Sequence, residues 1–287
     1  MKPEKGDPTV NVDVADVVRG LRDVGVLPGD TVMFHSSLSS IGTVVGGTNA
    51  VIDGFLQAVG PQGTVAVPTL CNWQPGEEHL VFERWHPRIS PSYVGKVTET
   101  FRLRPDALRS NHATHSVAAI GARARELTAD HGTYGERLGP FGPKAFAAAS
   151  PWQRLVDWNA AYCFIGVTFR VNTMVHYVES LVVERALERV AAVQRAELAA
   201  EVVGWMKPGV WPTIAIEDRE AIERMLAERG LVRYGRIGSA TLRCAHARPM
   251  VETWLAIIEE TPERWFPPEF QRWLAKTRGK EGRDDAG

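Results

Sequence analysis

The chain has 287 residues, 44% of them hydrophobic and 23% charged, with 33 basic residues against 34 acidic ones for a formal charge of −1. That length and composition describe a folded globular protein with room for one large domain or two small ones, and exclude collagen-like or intrinsically disordered chains. A near-zero net charge supplies no long-range field for nucleic acid or an anionic membrane, so neither is expected as a partner and any charge preference is local.

Val14, Val17, Val18 and Leu21 recur at i, i+3, i+4 and i+7, the pattern of an amphipathic helix, with Asn11 or Asp13 as its N-cap and Gly25 as its stop. After the turn LPGD, the run TVMF at 31–34 reads as a buried strand. The loop HSSLSSIGTVVGG then leads into a helix over about 48–59, and GPQG turns into a second buried strand, TVAVP, at 64–68. Strand, helix and strand joined by short turns predict a parallel pair. Residues 71–91 are rich in Trp, Pro and Glu without periodicity, a long loop of the kind that serves a site. Ser92 is expected to cap a helix reaching about 104, SVAAIG reads as a strand, and Ser150-Pro151 supplies an N-cap and an N1 proline for a helix to about 157. AYCFIGV, 161–167, is another buried strand, and Asn172 or Thr173 opens a long helix running past Leu181. A strand near 210–216, a helix capped by Asp218, strands at 231–236 and 240–245 and a helix after Pro249 follow. With no linker and no internal repeat, residues 1–275 read as one α/β domain and 276–287 as a charged disordered tail. Cys71, Cys163 and Cys244 stand far apart and outside any CxxC spacing. Together with an N-terminus lacking an apolar stretch and the absence of a run long enough to span a bilayer, they point to reduced thiols and a cytoplasmic location.

Three groups of residues suggest chemistry. The stretch HSSLSSIGTVVGGTNAV, 35–51, leaves a strand end and enters a helix, where ligands bind in open α/β sheets. Its hydroxyls, the Gly46-Gly47 pair and a helix N-terminus offer donors to a phosphate or pyrophosphate, although neither GxGxxG nor GxxxxGK[ST] is present. The bland alternative is a serine-rich turn. His176 and Glu179 are three residues apart and therefore share a helix face; a carboxylate beside an imidazole orients it and raises its basicity, as a general base requires. Alone, such a histidine is more often a satisfied helix-end residue. RSNHATHSVAAIG, 109–121, gathers His112, His115, Ser110 and Ser116 before a strand. No second HxxH or CxxC supports zinc and no GxSxG supports a serine nucleophile, so a hydroxyl and an imidazole holding an acyl carbonyl or oxyanion is the better reading.

In their order, HSSLSSIGTVVGGTNAVIDGFLQAVGPQGTVAVPT, ISPSYVGKVTETFRLRPDALRSNHATHSVAAIG and YCFIGV…NTMVHYVES resemble the aminoglycoside 3-N-acetyltransferase family over about 28–185. The resemblance implies a central mixed β-sheet flanked by helices, and acetyl transfer from acetyl-coenzyme A to the 3-amino group of a 2-deoxystreptamine antibiotic, without a metal. Carried over by motif, His35, Ser36, Ser37, Gly46, Gly47 and Thr48 would line the coenzyme A side, with Arg109, Ser110 and His115 nearby. His176 and Glu179 fall on the family's TxxHxxE segment, with the histidine as base, and Ser116 on the serine of its HPxxS segment. A polycationic acceptor wants local acid, for which Glu77, Glu78, Glu83 and Asp157 are the candidates. Ala113 departs from the usual proline after His112, 137–150 reads as an insertion, and VWPTIAIEDRE is mostly apolar where the family tends to acid; these departures bear on the acceptor rather than the acyl donor. Acylation of a different, biosynthetic amine keeps the same mechanism. A metal-dependent hydrolase on His112, His115 and His176, or a non-catalytic coenzyme A-binding module, are alternatives from other classes. A monomer or homodimer is expected.

Overall fold

The apolar runs at the centre of the sequence become the centre of a sheet. The computed structural model describes residues 3–71, 77, 80–205, 216 and 218–278. The strands are β1 (Asn11–Val12), β2 (Thr31–Ser36), β3 (Thr43–Val44), β4 (Thr64–Pro68), β5 (Leu108–Arg109), β6 (Val117–Gly121), β7 (Ala161–Ile165), β8 (Arg233–Ile237) and β9 (Ala240–His246). Seven of them form one mixed sheet in the order β5-β6-β4-β2-β7-β9-β8, and β1 and β3 pair separately. β2 lies parallel to both β4 and β7, whereas β6, β5, β9 and β8 are added antiparallel at the two edges. The parallel pairing of β2 with β4 is what the strand, helix, strand reading required.

The three parallel strands are buried on both faces, which is why they read as continuous apolar runs rather than alternating ones. Alternation still sorts their side chains. Val32 and Phe34 of β2, with Cys163 and Ile165 of β7, enter one core layer, while Met33, Tyr162 and Phe164 enter the other. The helices Val14–Asp23, Gly47–Val59 and Lys96–Arg102 cover the first face. Pro151–Asp157, Met174–Glu188 and Ala247–Glu260 cover the second.

Caps fix where the helices begin. Asp13 and Asp16 form a reciprocal capping box, Ser150 accepts from the Gln153 amide with Pro151 at N1, and Asp218 caps Arg219–Glu228. Ser92 does not cap its helix, which starts four residues later with Gly95 as N-cap. The Ser92 hydroxyl bonds Thr98 Oγ1 at 2.8 Å and its amide donates to Glu99 instead, so the segment is tied back onto the helix rather than continuing it. β7 ends at Ile165, two residues short of the predicted strand. The strand expected near 210–216 lies, except for Ile216, outside the described residues. Lys276, placed by sequence in a disordered tail, sits in the helix Pro268–Thr277 and pairs with Glu201 at 2.8 Å. All three cysteines are free and buried, Cys163 and Cys244 directly opposite each other across β7 and β9. No helix among the described residues is long and apolar enough to cross a membrane.

Candidate active site

Two cavities meet at the carboxyl ends of the parallel strands, the position where open α/β sheets receive ligands. One, of about 600 Å³, is lined by His35 and Ser36 at the end of β2, Pro68 at the end of β4, Thr114 and His115, Phe141, and His176 in the first turn of Met174–Glu188, with Arg170 and Arg219 at its side. The other, of about 540 Å³, is lined by the Ser36–Ser39 turn, Gly47, Gly95 and Lys96. Ser36, Gly95 and Val167 line both, so the two are compartments of one cleft. The Ser36 hydroxyl at this seam is buried and has no hydrogen-bond partner among the described residues. A buried hydroxyl without a partner, bordering a cleft, is available to a ligand or a water. At the entrance to Gly47–Val59, Gly46 and Gly47 adopt left-handed backbone conformations that side-chain-bearing residues resist, which turns the chain sharply enough to open the helix N-terminus onto the second compartment.

His176 and Glu179, one turn apart, make the hydrogen bond their spacing allows: Nδ1 to Oε2 at 2.7 Å. Glu179 is fully buried behind the ring, and its other oxygen accepts from the Ile216 amide at 2.9 Å. Burial holds the His176 imidazole well below its ordinary value, with the nearby Arg219 charge acting the same way. Burial likewise pushes the Glu179 carboxyl up to about 8, against the opposing pull of the Ile216 amide and Arg219. With Nδ1 turned to the carboxylate, Nε2 is the nitrogen left for the cavity that His176 lines.

His115 stands at His176, ring centroids 5.6 Å apart and nearly perpendicular. Its position is fixed from several sides: Nδ1 bonds Thr114 Oγ1 at 2.9 Å, its amide donates to His112 Nδ1, and its carbonyl accepts from the indole of Trp152. The segment 137–150, read from sequence as an insertion, closes over this pair. Phe141 packs against both rings at 4.2 and 4.5 Å. Arg137 anchors the segment on Glu184 at 2.9 Å and Gln153 at 2.6 Å. A Cβ on Gly139 would lie 2.1 Å from Ser180 Oγ and 3.0 Å from Ser180 Cβ, so a larger residue would have to displace the serine hydroxyl or lift the segment that seats Phe141. His35, also lining the cavity, is stacked on Phe164 and bonded through Nε2 to the Tyr162 hydroxyl at 3.0 Å. Burial lowers it to about 3, which keeps it neutral.

Other expected site residues fall elsewhere. The Ser116 hydroxyl is fully buried, donates to the Thr69 carbonyl at 2.8 Å and lies 3.2 Å from Arg109 Nε; it braces β4 against β6 and is not part of the cavity lining. Arg109 is spent on the Thr69 and Ser90 carbonyls and lies over the Trp85 ring, pinning the long loop to the sheet. Ser110 accepts from the Val117 amide and donates to His131 Nδ1, whose Nε2 in turn donates to the Ala145 carbonyl. Thr48 donates to Thr100. Of the acidic candidates, Glu77 is paired with Arg84, Glu83 is exposed on the same short helix, and Asp157 is exposed and accepts from Gln153; none lines either compartment. Glu78 lies outside the described residues. Among the described residues no group of three His, Cys, Asp or Glu side chains is placed to hold a metal ion. His112 and His115 each commit Nδ1 to a neighbouring protein group. Sequence reasoning missed Arg170, Arg219 and Phe141. Phe141 and Arg219 reach the site through contacts between distant segments and were marked only by the anomalous composition around 137–150 and 210–220, whereas Arg170, close in sequence to His176, carried no signal.

A family model described as aminoglycoside 3-N-acetyltransferase matches residues 33–259. The aminoglycoside N(3)-acetyltransferase VII of Streptomyces paromomycinus is 31% identical over 273 residues, covering 85% of this chain and 90% of that protein. The aminoglycoside N(3)-acetyltransferase IX of Micromonospora chalcea is 30% identical over 271 residues, covering 85% and 92%. Among solved structures, the aminoglycoside acetyltransferase AAC(3)-Xa superposes with a TM-score of 0.67 at 28% identity, covering 87% of this chain and 93% of its own. The binary complex of AAC-IIIb with CoASH shares the fold, with a TM-score of 0.68 at 20% identity over 90% and 99% of the two chains.

Proposed function

Because the chain belongs to the aminoglycoside 3-N-acetyltransferase family, we propose that this acyltransferase moves the acetyl group of acetyl-coenzyme A directly onto a primary amine, with His176 as general base and Glu179 as the group that orients it. The observation that carries this reading is the His176–Glu179 pair facing a cavity whose other wall is the β2–helix junction. The compartment with Lys96 and the helix N-terminus at Gly47 suits the anionic coenzyme end, and the unpartnered Ser36 hydroxyl at the seam suits the thioester end.

In the reaction, the amine nitrogen attacks the thioester carbonyl carbon while His176 Nε2 takes its proton; the C–S bond breaks, and the imidazolium returns that proton to the departing thiolate. The products are an acetamide and free coenzyme A. In its ionised form Glu179 accepts a hydrogen bond from Nδ1–H, which fixes the tautomer, and stabilises the imidazolium that forms. No covalent enzyme intermediate is required, so the buried cysteines stay outside the chemistry.

The 3-amino group of a 2-deoxystreptamine aminoglycoside is the first acceptor to test, as the names of the relatives direct. The charge of the cavity favours a second reading of the acceptor, a different amine, developed below. We place the enzyme in the cytoplasm as a monomer or homodimer. The test is steady-state thiol release from acetyl-coenzyme A with gentamicin, neomycin, apramycin and a non-aminoglycoside amine. Amine-dependent release that His176→Ala abolishes supports the proposal; release above hydrolysis with none of them defeats it.

A further inference from the structure

We infer that the preferred acceptor carries an anionic group, a carboxylate or a phosphate, close to the amine that is acetylated, and that Arg170 and Arg219 bind it; this rests on the acyl-transfer reading above.

Among the described residues lining the cavity beside His176, the only formal charges are Arg170 and Arg219. The three imidazoles in the lining, His35, His115 and His176, are kept neutral by burial. Neither arginine has an ion-pair partner within 4 Å among the described residues, and Arg219 Nη1 donates to the Arg170 carbonyl at 3.3 Å, which joins the two into one patch. Neighbouring acids among the described residues are already committed. Glu179 holds His176 and the Ile216 amide, Asp218 caps its helix on the Ala221 amide, Glu220 accepts from Thr168, and Glu223 is paired with Arg243. Glu77, Glu83 and Asp157, three of the acidic residues offered for a polycation, line neither compartment. Two arginines in the described lining, beside imidazoles held neutral, attract an acceptor that carries an anion and disfavour one that carries several ammonium groups. Guanidinium groups bind carboxylate and phosphate oxygens in paired, directed hydrogen bonds. The phosphates of coenzyme A are separated from its thioester by the whole pantetheine arm. They belong with the Lys96 compartment rather than beside the base.

A matched acceptor series tests this: glucosamine, glucosamine 6-phosphate, glucosaminate and gentamicin, each with acetyl-coenzyme A under the same thiol-release assay. We expect kcat/KM for the phosphate or the carboxylate to exceed that for glucosamine by at least about tenfold, which of the two gains more identifying the anion. That ratio should fall towards one in Arg170→Gln and recover in part in Arg170→Lys, with the KM for acetyl-coenzyme A unmoved. Equal kcat/KM across glucosamine and its two anionic forms, or gentamicin ahead of both, overturns the inference and leaves acyl transfer standing. An Arg170→Gln effect confined to the KM of acetyl-coenzyme A overturns it too. Thiol release with no amine at all removes the acyl-transfer reading, and the inference with it.

Discussion

Glu179→Gln isolates the electrostatic state of the His176–Glu179 pair. The wild-type carboxyl titrates at about 8 in the folded chain, against an ordinary 4.5. A raised folded value means that the folded state holds a proton the unfolded state has released. Its contribution is therefore complete below pH 4.5 and is lost as pH rises towards and through 8. Between pH 5 and 7.5 the unfolded carboxyl is ionised and the folded one is largely not, so wild-type stability falls at about 1.4 kcal/mol per pH unit from this group, about 3 kcal/mol in all. Glutamine does not titrate. The difference in unfolding free energy between wild type and variant, from urea denaturation at both pH values, should therefore shift by about 3 kcal/mol against the wild type as pH rises, the contributions of groups distant from the pair cancelling in the difference. A pH-independent difference would show that the carboxyl ionises normally and refute the argument from burial. Turnover supplies a second readout. Glu179 serves the Ile216 amide and His176 Nδ1–H with separate oxygens, and glutamine puts an NH2 donor in place of one of them, facing a group that also donates. The variant should turn over more slowly than wild type but faster than one lacking the imidazole, and the wild-type rate should rise with pH as Glu179 loses its proton.

His176→Ala should lower kcat by about 100- to 10,000-fold while coenzyme A affinity, measured by calorimetry, stays close to wild type; an unchanged kcat in a folded variant removes it as base. Ser116→Ala should lower stability by about 1–3 kcal/mol and leave kcat nearly intact, because the hydroxyl braces Thr69 and Arg109 inside the sheet. A large loss of kcat at unchanged thermal stability would instead restore a direct role in holding the thioester. Gly139→Val should destabilise by about 1–3 kcal/mol and reduce kcat/KM for the acceptor by displacing Phe141; a variant with wild-type kinetics would show that the segment does not shape the site. Acid should also weaken the fold. His35 and His131 are held by burial at about 3 and about 4, so the stability they contribute is present above 6.5 and lost as pH falls from there towards those values. These two account for about 4 kcal/mol between pH 7.5 and 5, with His112, His115 and His176 acting in the same direction; denaturation midpoints that stay flat over that range would count against neutral buried histidines.

The central strands, their flanking helices and most caps were legible because each is a local property: an apolar run, a 3.6-residue period, Asp13 or Ser150 before a helix. The i, i+3 spacing of His176 and Glu179 was legible for the same reason, since helix geometry alone brings such residues together. Motif order across the chain also pointed to the family. Local pattern did not reveal which polar residues were free. Ser116, Ser110 and Arg109 resemble site residues in a linear string, yet each is consumed by partners such as Thr69, His131 and Ser90 that only strand pairing and loop packing bring near. Ser36, indistinguishable from its serine neighbours in sequence, is the one at the seam left without a partner among the described residues. The same holds for charge. A net charge of −1 and a glutamate-rich loop said nothing of the sign inside the cavity, because charge acts over ångströms and its neighbours are set by tertiary contact. The sequence by itself therefore determined the scaffold and the juxtaposition of His176 with Glu179, both products of short-range backbone periodicity. Only the folded arrangement decided which side chains face the cleft, and that its walls carry two arginines.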